Sequence, residues 1–248
     1  MVAGQGWGAG SIPVSRSRIM EKHITGLGTY IKDIVYGAND GIITTFAIVA
    51  GSFGADFSTK VILILGFANL LADGFSMAAS NFLGSRSEND LFRKEKNREL
   101  DEVEKVPEKE KQEIREVFRH HNFSTGDSEK LVELVSHNKE FWVDFMMRYE
   151  LGMNVPEEGS EWKSALLTFL AFVLAGSLPL LPFAAFSFGD FAFLYSIIAT
   201  ASALFAVGAA RYFVTHVNWI ISGLEMLFVG GIAAGVSYFI GYIISALI

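Results

Sequence analysis

Charge is absent from long stretches of this chain and crowded into one of them. No Asp, Glu, Lys or Arg lies between Lys163 and Asp190, and none between Asp190 and Arg211. Residues 86–162, by contrast, hold 13 Lys/Arg and 20 Asp/Glu, and the rest of the chain holds 7 of each, so the net charge of −7 belongs to that one segment. A helix needs about 20 apolar residues to cross a hydrocarbon core about 30 Å thick, where its backbone polar groups must bond within the helix because no water reaches them. An ordinary soluble domain is excluded, and an all-α membrane protein is predicted.

Five stretches have that length and character: about 34–53, 61–83, 165–183, 191–211 and 219–247. The predicted organisation is a flexible N-terminal arm over 1–31, two transmembrane helices over 32–85, a helical domain over 86–162 and three further transmembrane helices over 163–248. The arm is glycine-rich and then basic, without the apolar core or cleavage pattern of a signal peptide. Arg16, Arg18, Lys22 and Lys32 precede the first span, Arg86, Arg93 and Lys94 follow the second, Lys163 precedes the third and Arg211 closes the fourth. The positive-inside rule places all these ends in the cytoplasm, with the N-terminus and residues 86–162. Five spans then put the C-terminus outside. The outer connections near Asp56 and Asp190 carry a single basic residue, Lys60, as that orientation requires.

The charged segment reads as several short amphipathic helices. Nothing breaks the second span between Gly84 and Pro107, so it is predicted to run into the cytoplasm to about residue 105. Pro107 suits the first turn of a new helix to about His121, Ser124 and Asp127 offer caps for a third, and Asn138 caps a fourth. Phe141, Trp142, Phe145, Met146 and Tyr149 form the apolar stripe of that last helix. With no cysteine, disulfides, thiolate zinc sites and iron–sulfur clusters are excluded. Nucleic acid is excluded as a partner, because an acidic segment repels phosphates.

Polar residues interrupt the first two spans. Asp33 and Asp40 lie two turns apart on one face of the first, with Tyr36 and Thr44, and the second carries Asn69, Asp73, Ser76 and Met77 in a single stripe. Ionisable groups in a bilayer cost several kcal/mol and face a cavity, an ion path or a partner, on the order of magnitude of insertion scales. The bland alternative is helix-to-helix hydrogen bonding, which serves well for Asn39 and Asn69 but poorly for Asp40 and Asp73. A lone methionine in a span is most often apolar filler, but Met77 shares a stripe with Asp73, and a thioether beside oxygen ligands suits a transition metal better than Mg²⁺ or Ca²⁺.

The acidic segment offers a second constellation. Glu99 and Glu102 are spaced i, i+3 on one helix, Glu110 and Glu113 repeat that spacing on the next, and Met146, Met147 and Glu150 share about a turn of the fourth. Such pairs can converge on a divalent cation, yet a run like Glu108 to Glu116 with Lys109, Lys111 and Arg115 is also what a solvated helix face looks like. Catalysis finds little support. His120 and His121 sit beside Glu116 without the Glu-x-x-His pairs of a di-iron bundle, and neither a phosphate loop nor a nucleophile elbow is present.

From about Tyr30 onward the chain resembles the vacuolar iron transporter family. The resemblance rests on Val35-Tyr36-Gly37-Ala38-Asn39-Asp40-Gly41, on Ala72-Asp73-Gly74-Phe75-Ser76-Met77, and on Asp144-Phe145-Met146-Met147-Arg148-Tyr149-Glu150. It implies a homodimer with an ion path between the first two spans of each subunit, exporting Fe²⁺ from the cytosol in exchange for protons. Asp40 and Met77 match the residues that line the family's path. Glu99, Glu102, Glu110, Glu113, Met146, Met147 and Glu150 match those that gather metal in its cytoplasmic domain, which reverses the bland reading of the glutamates.

The expectation is therefore a multi-pass, non-enzymatic antiporter without a prosthetic group. It moves Fe²⁺, with Mn²⁺, Co²⁺ and Zn²⁺ as further candidates, into a vacuole in a eukaryote or across the plasma membrane in a prokaryote. Asp40, Met77, Asp33, Asp73 and Asn69 are the candidate path residues, and Asp33, Asp73 or Glu225 the candidate proton acceptor. The competing reading is a membrane-anchored iron buffer or sensor.

Overall fold

The computed structural model describes residues 30–156, 159–185, 191–212 and 216–247. The arm with Arg16, Arg18 and Lys22, and the connection holding Asp190, lie outside the described residues. Those described form helices and connections only: α1 (Ile31–Gly54), α2 (Thr59–Lys105), α3 (Pro107–His120), α4 (Thr125–Ser136), α5 (Lys139–Tyr149), α6 (Ser160–Gly176), α7 (Leu181–Ala185), α8 (Phe191–Ala210) and α9 (Trp219–Leu247).

Four of these, α1, α2, α8 and α9, are long and apolar enough to cross a membrane. The third expected span, 165–183, is two pieces. α6 has 17 residues, about 25 Å at 1.5 Å per residue and so shorter than a bilayer core of about 30 Å. It stops at Gly176 and the chain turns through Ser177–Leu180 before the five residues of α7. Pro179 and Pro182 explain the break, since neither can donate a helical hydrogen bond and each clashes with the turn before it. The freed Pro179 carbonyl is bonded by the buried Ser196 hydroxyl of α8 at 2.7 Å.

α2 has 47 residues, about 70 Å, more than twice a bilayer core. Its apolar first half pairs with α1 as an antiparallel hairpin, and its charged second half carries α3–α5. α2 ends at Lys105 and α3 begins on Pro107. The Ser124 hydroxyl accepts from the Asp127 amide at 3.2 Å and the side-chain Oδ1 of Asn138 from the Phe141 amide at 3.0 Å, satisfying N-terminal donors that would otherwise be orphaned. Phe92, Val103, Ile114, Phe118, Trp142 and Val143 close the core of this unit.

In the apolar unit α1 is central, packed by α6, α9, α2 and α8. Its closest neighbour is α6, and glycine permits the approach. A Cβ on Gly41 would collide with the Phe172 carbonyl, and one on Gly176 would stand 2.7 Å from the Gly41 carbonyl. Phe46, Val49, Leu70 and Phe172 fill the space around this crossing, while Leu71, Phe75, Phe228 and Phe239 point outward, as lipid-facing side chains do.

Gly41→Ala is expected to push α1 from α6 at a cost of about 1–3 kcal/mol, the scale of overpacking a core. Gly84→Ala, where an added Cβ meets nothing within 4 Å, is expected to stabilise α2 by up to about 1 kcal/mol through helix propensity. Thermal unfolding of the two variants in detergent should move in opposite directions.

Candidate metal sites at two levels

The polar stripes of α1 and α2 are in part exposed, at Tyr36 and Ser76. Asp40 and Asp73 are both half-buried and close enough for their charges to interact. Asn69, one turn before Asp73, donates from Nδ2 to Asp73 Oδ2 at 2.7 Å and so fixes that carboxylate. The Thr44 hydroxyl turns back onto the Asp40 main-chain carbonyl at 2.9 Å and so does not bond the Asp40 carboxylate. Met77 is partly buried and packs against the cluster of Phe46, Leu70 and Phe172, where its flexible thioether fills apolar space.

Asp33 has a different setting. Asn81 of α2 donates from Nδ2 to Asp33 Oδ1 at 3.0 Å and reaches Thr168 Oγ1 of α6 at 2.8 Å, while the Thr168 hydroxyl donates to the Ser164 carbonyl at 2.8 Å. Three helices are thus tied together where α1 begins. Sequence reasoning missed Asn81 and Thr168. A signal existed for Asn81, because 69, 73, 77 and 81 continue one stripe at four-residue spacing. Glu225 of α9 stands 3.6 Å from Arg211 at the end of α8.

Past the apolar half of α2 lies the second level. Glu99 and Glu110 are 2% and 0% exposed, and Glu99 Oε2 and both Glu110 carboxylate oxygens are buried without a hydrogen-bond partner. One oxygen from each of Glu99, Glu102 and Glu110 lies within 4.8 Å of the other two. Octahedral coordination with oxygens at about 2.1 Å sets adjacent ligands about 3.0 Å apart and opposite ones about 4.2 Å apart, so the trio would draw inward to close on a first-row divalent ion.

Glu113 and Glu150 complete the acidic surround. Burial pushes the Glu99 carboxyl up to about 7, with repulsion from Glu150 and Glu102 adding to it. Burial likewise pushes Glu110 up to about 7, followed by the charge of Glu113. Glu150 is raised by partial burial and then by Glu113. Two cations bear on the group. Arg98 Nε donates to Glu102 at 3.0 Å, and Lys109 Nζ donates to Glu113 at 2.9 Å while standing 3.7 Å from Glu110. Five carboxylates against two cations leave an acidic excess suited to a divalent ion. Met146 and Met147 are 0% and 1% exposed and belong to the apolar core beside the carboxylates. The alternation of Glu and Lys over 108–116 suggested a solvated face, and Lys109 and Lys111 do pair at the surface, but Glu110 turns inward.

The profile of the VIT family matches residues 31–242. Among similar proteins, the vacuolar iron transporter 1 of Arabidopsis thaliana is 34% identical over 218 residues, 88% of this chain and 87% of the relative. The vacuolar iron transporter of Toxoplasma gondii (strain ATCC 50861 / VEG) is 37% identical over 237 residues, 92% of this chain and 78% of the relative. That of Plasmodium falciparum (isolate 3D7) is 34% identical over 223 residues, 86% of this chain and 82% of the relative.

Raised carboxyls give a pH dependence of definite sign. Between an ordinary value of 4.5 and about 7, folded Glu99 and Glu110 hold protons that the unfolded chain has released, so stability falls as pH rises through that interval. The metal-free protein in detergent is therefore expected to melt lower at pH 7.5 than at pH 5.5. Added Mn²⁺, an air-stable divalent probe, should reverse the loss at pH 7.5 and do little at pH 5.5. Glu110→Gln should flatten the slope and weaken the Mn²⁺ effect; an unchanged slope would remove Glu110 from the cause.

Proposed function

The chain belongs to the VIT family, and from that premise we propose that it carries Fe²⁺ out of the cytosol across a membrane in exchange for protons. The observation that supports this most strongly is the pair of half-buried carboxylates, Asp40 and Asp73, carried by two apolar helices and close enough for their charges to interact. A membrane anchor has no use for two acids in a bilayer, whereas a cation path does. Relatives bearing the name iron transporter support iron as cargo.

In this reading α6, its turn and α7 together make a broken third span, giving five, with the N-terminus and residues 86–162 in the cytoplasm and the C-terminus outside. The glutamate cluster gathers cations from the cytosol by its field and its carboxylates. Asp40 and Met77 receive the dehydrated ion. The Asp40–Asp73 pair demands positive charge in a low-dielectric setting, which either one divalent ion or two protons supply, so proton occupancy and metal occupancy exclude each other. Asp73 accepts the counter-proton, with Asp33 held by Asn81 and Glu225 by Arg211 as less suited candidates. Mn²⁺, Co²⁺ and Zn²⁺ share enough ligand chemistry to compete. A homodimer covers the polar stripe of α2, and the membrane is vacuolar in a eukaryote or the plasma membrane in a prokaryote.

Fe²⁺ uptake into proteoliposomes with an imposed pH gradient tests the proposal. Asp40→Ala is expected to bring flux to the level of empty liposomes while leaving metal binding at the glutamates. Glu110→Ala with Glu113→Ala should raise the apparent KM about tenfold, about 1.4 kcal/mol, with maximal flux retained. Metal binding without any gradient-dependent flux in the wild type would leave an anchored buffer as the function.

A further inference from the structure

A cavity of about 330 Å³ opens between the start of α1, the end of α8 and the first turns of α9. Two cations line it, Lys32 and Arg211, and its wall is built from Ile31, Val35 and Met226. It is amphipathic, charged at one side and apolar at the other.

Its height follows from two observations. The Asn81–Asp33 hydrogen bond sets the start of α1 level with the stretch of α2 where apolar sequence gives way to charge. Tyr36 lines the cavity, Tyr212 follows Arg211 in the chain and Trp219 opens α9, exposed by 57%, 43% and 48%, and exposed Tyr and Trp at helix ends are the residues that settle at the headgroup level of a bilayer.

The charges define the ligand. Lys32 has no carboxylate within ion-pair distance among the described residues and lies 5.7 Å from the centroid of the Tyr36 ring. Arg211 stands 3.6 Å from Glu225 and, with Lys32, brings a second cation to the cavity. A cavity with two cations on its wall suits a phosphodiester, and Arg and Lys are the side chains that bind phosphate oxygens best. We propose that this cavity binds the headgroup phosphate of an anionic phospholipid, with the first part of its acyl chain along Ile31, Val35 and Met226. Basic pockets between transmembrane helices take such headgroups by the same chemistry. Asn39, next to Asp40, also lines the cavity, but no member of either carboxylate cluster does, and the site does not depend on which ion the protein carries.

The test is binding to the purified full-length protein in a neutral detergent, read by thermal shift and by native mass spectrometry. Short-chain phosphatidylglycerol should raise the melting temperature saturably and remain attached in the spectrum. Phosphatidylcholine of the same chain length and inorganic phosphate should do neither. In Lys32→Gln with Arg211→Gln the affinity for phosphatidylglycerol should fall about tenfold or more. Equal binding of phosphatidylcholine would overturn the role of charge, and equal binding of inorganic phosphate would make it a free-anion site. Undiminished binding by the double variant would overturn the location. Should the double variant not fold, Met226→Trp keeps both cations and fills the apolar half; it must lose phosphatidylglycerol for the proposal to stand.

Discussion

Backbone-to-backbone contact between α1 and α6 is the constraint on which the membrane half depends. Once Gly41 and Gly176 let the two helices touch, the rotation of α1 about its axis is settled, and the residues on the adjacent face have no choice of neighbour. Asp33 and Asp40 are carried on α1, Asp33 bonded by Asn81 of α2, and the Asn81–Thr168 bridge holds the same rotation where α1 begins. Close packing and hydrogen bonding replace the hydrophobic drive that lipid cannot supply between helices. The carboxylates are thus held by groups that are not themselves charged.

The charged unit solves the opposite problem. Water is available to it, so burying Glu99 and Glu110 without hydrogen-bond partners runs against its own stability. Ile114 and Phe118, on the same helix as Glu110, supply the apolar burial that carries this load. Local preferences that conflict in this manner tend to mark sites kept for a ligand rather than for the fold.

Much of the helical framework was legible. Pro107, Ser124 and Asn138 set helix starts through rules that act within a single turn, and the uncharged runs set α1, α8 and α9 through length alone. The break at Ser177–Leu180 was hidden because apolar content does not distinguish one long helix from a short helix and a turn; Pro179 and Pro182 carried that information. Glu110 was misjudged from spacing for a related reason: alternation with lysines is a property of the helix surface, while burial is decided by what α2 and α5 place against it. The motif strings overcame that limit by resemblance rather than by physics. Asn81 could have been found by extending the stripe of Asn69, Asp73 and Met77 one more turn, but its partners Asp33 and Thr168 are far away in sequence and leave no local period of their own.

The unbroken course of α2 has a geometric consequence. Asp73 and Glu99 stand on one helix about 26 residues and so about 39 Å apart, and each residue between them turns the axis by about 100°. The two sites are therefore locked in phase. Adding or deleting a single residue in that stretch would swing the glutamates about a quarter of the way round relative to the aspartate, whereas seven residues would return them to within about 20°. The length of this connection is quantised, as the pitch of a screw fixes where its thread can engage, in a way that no loop joining the same two sites would be.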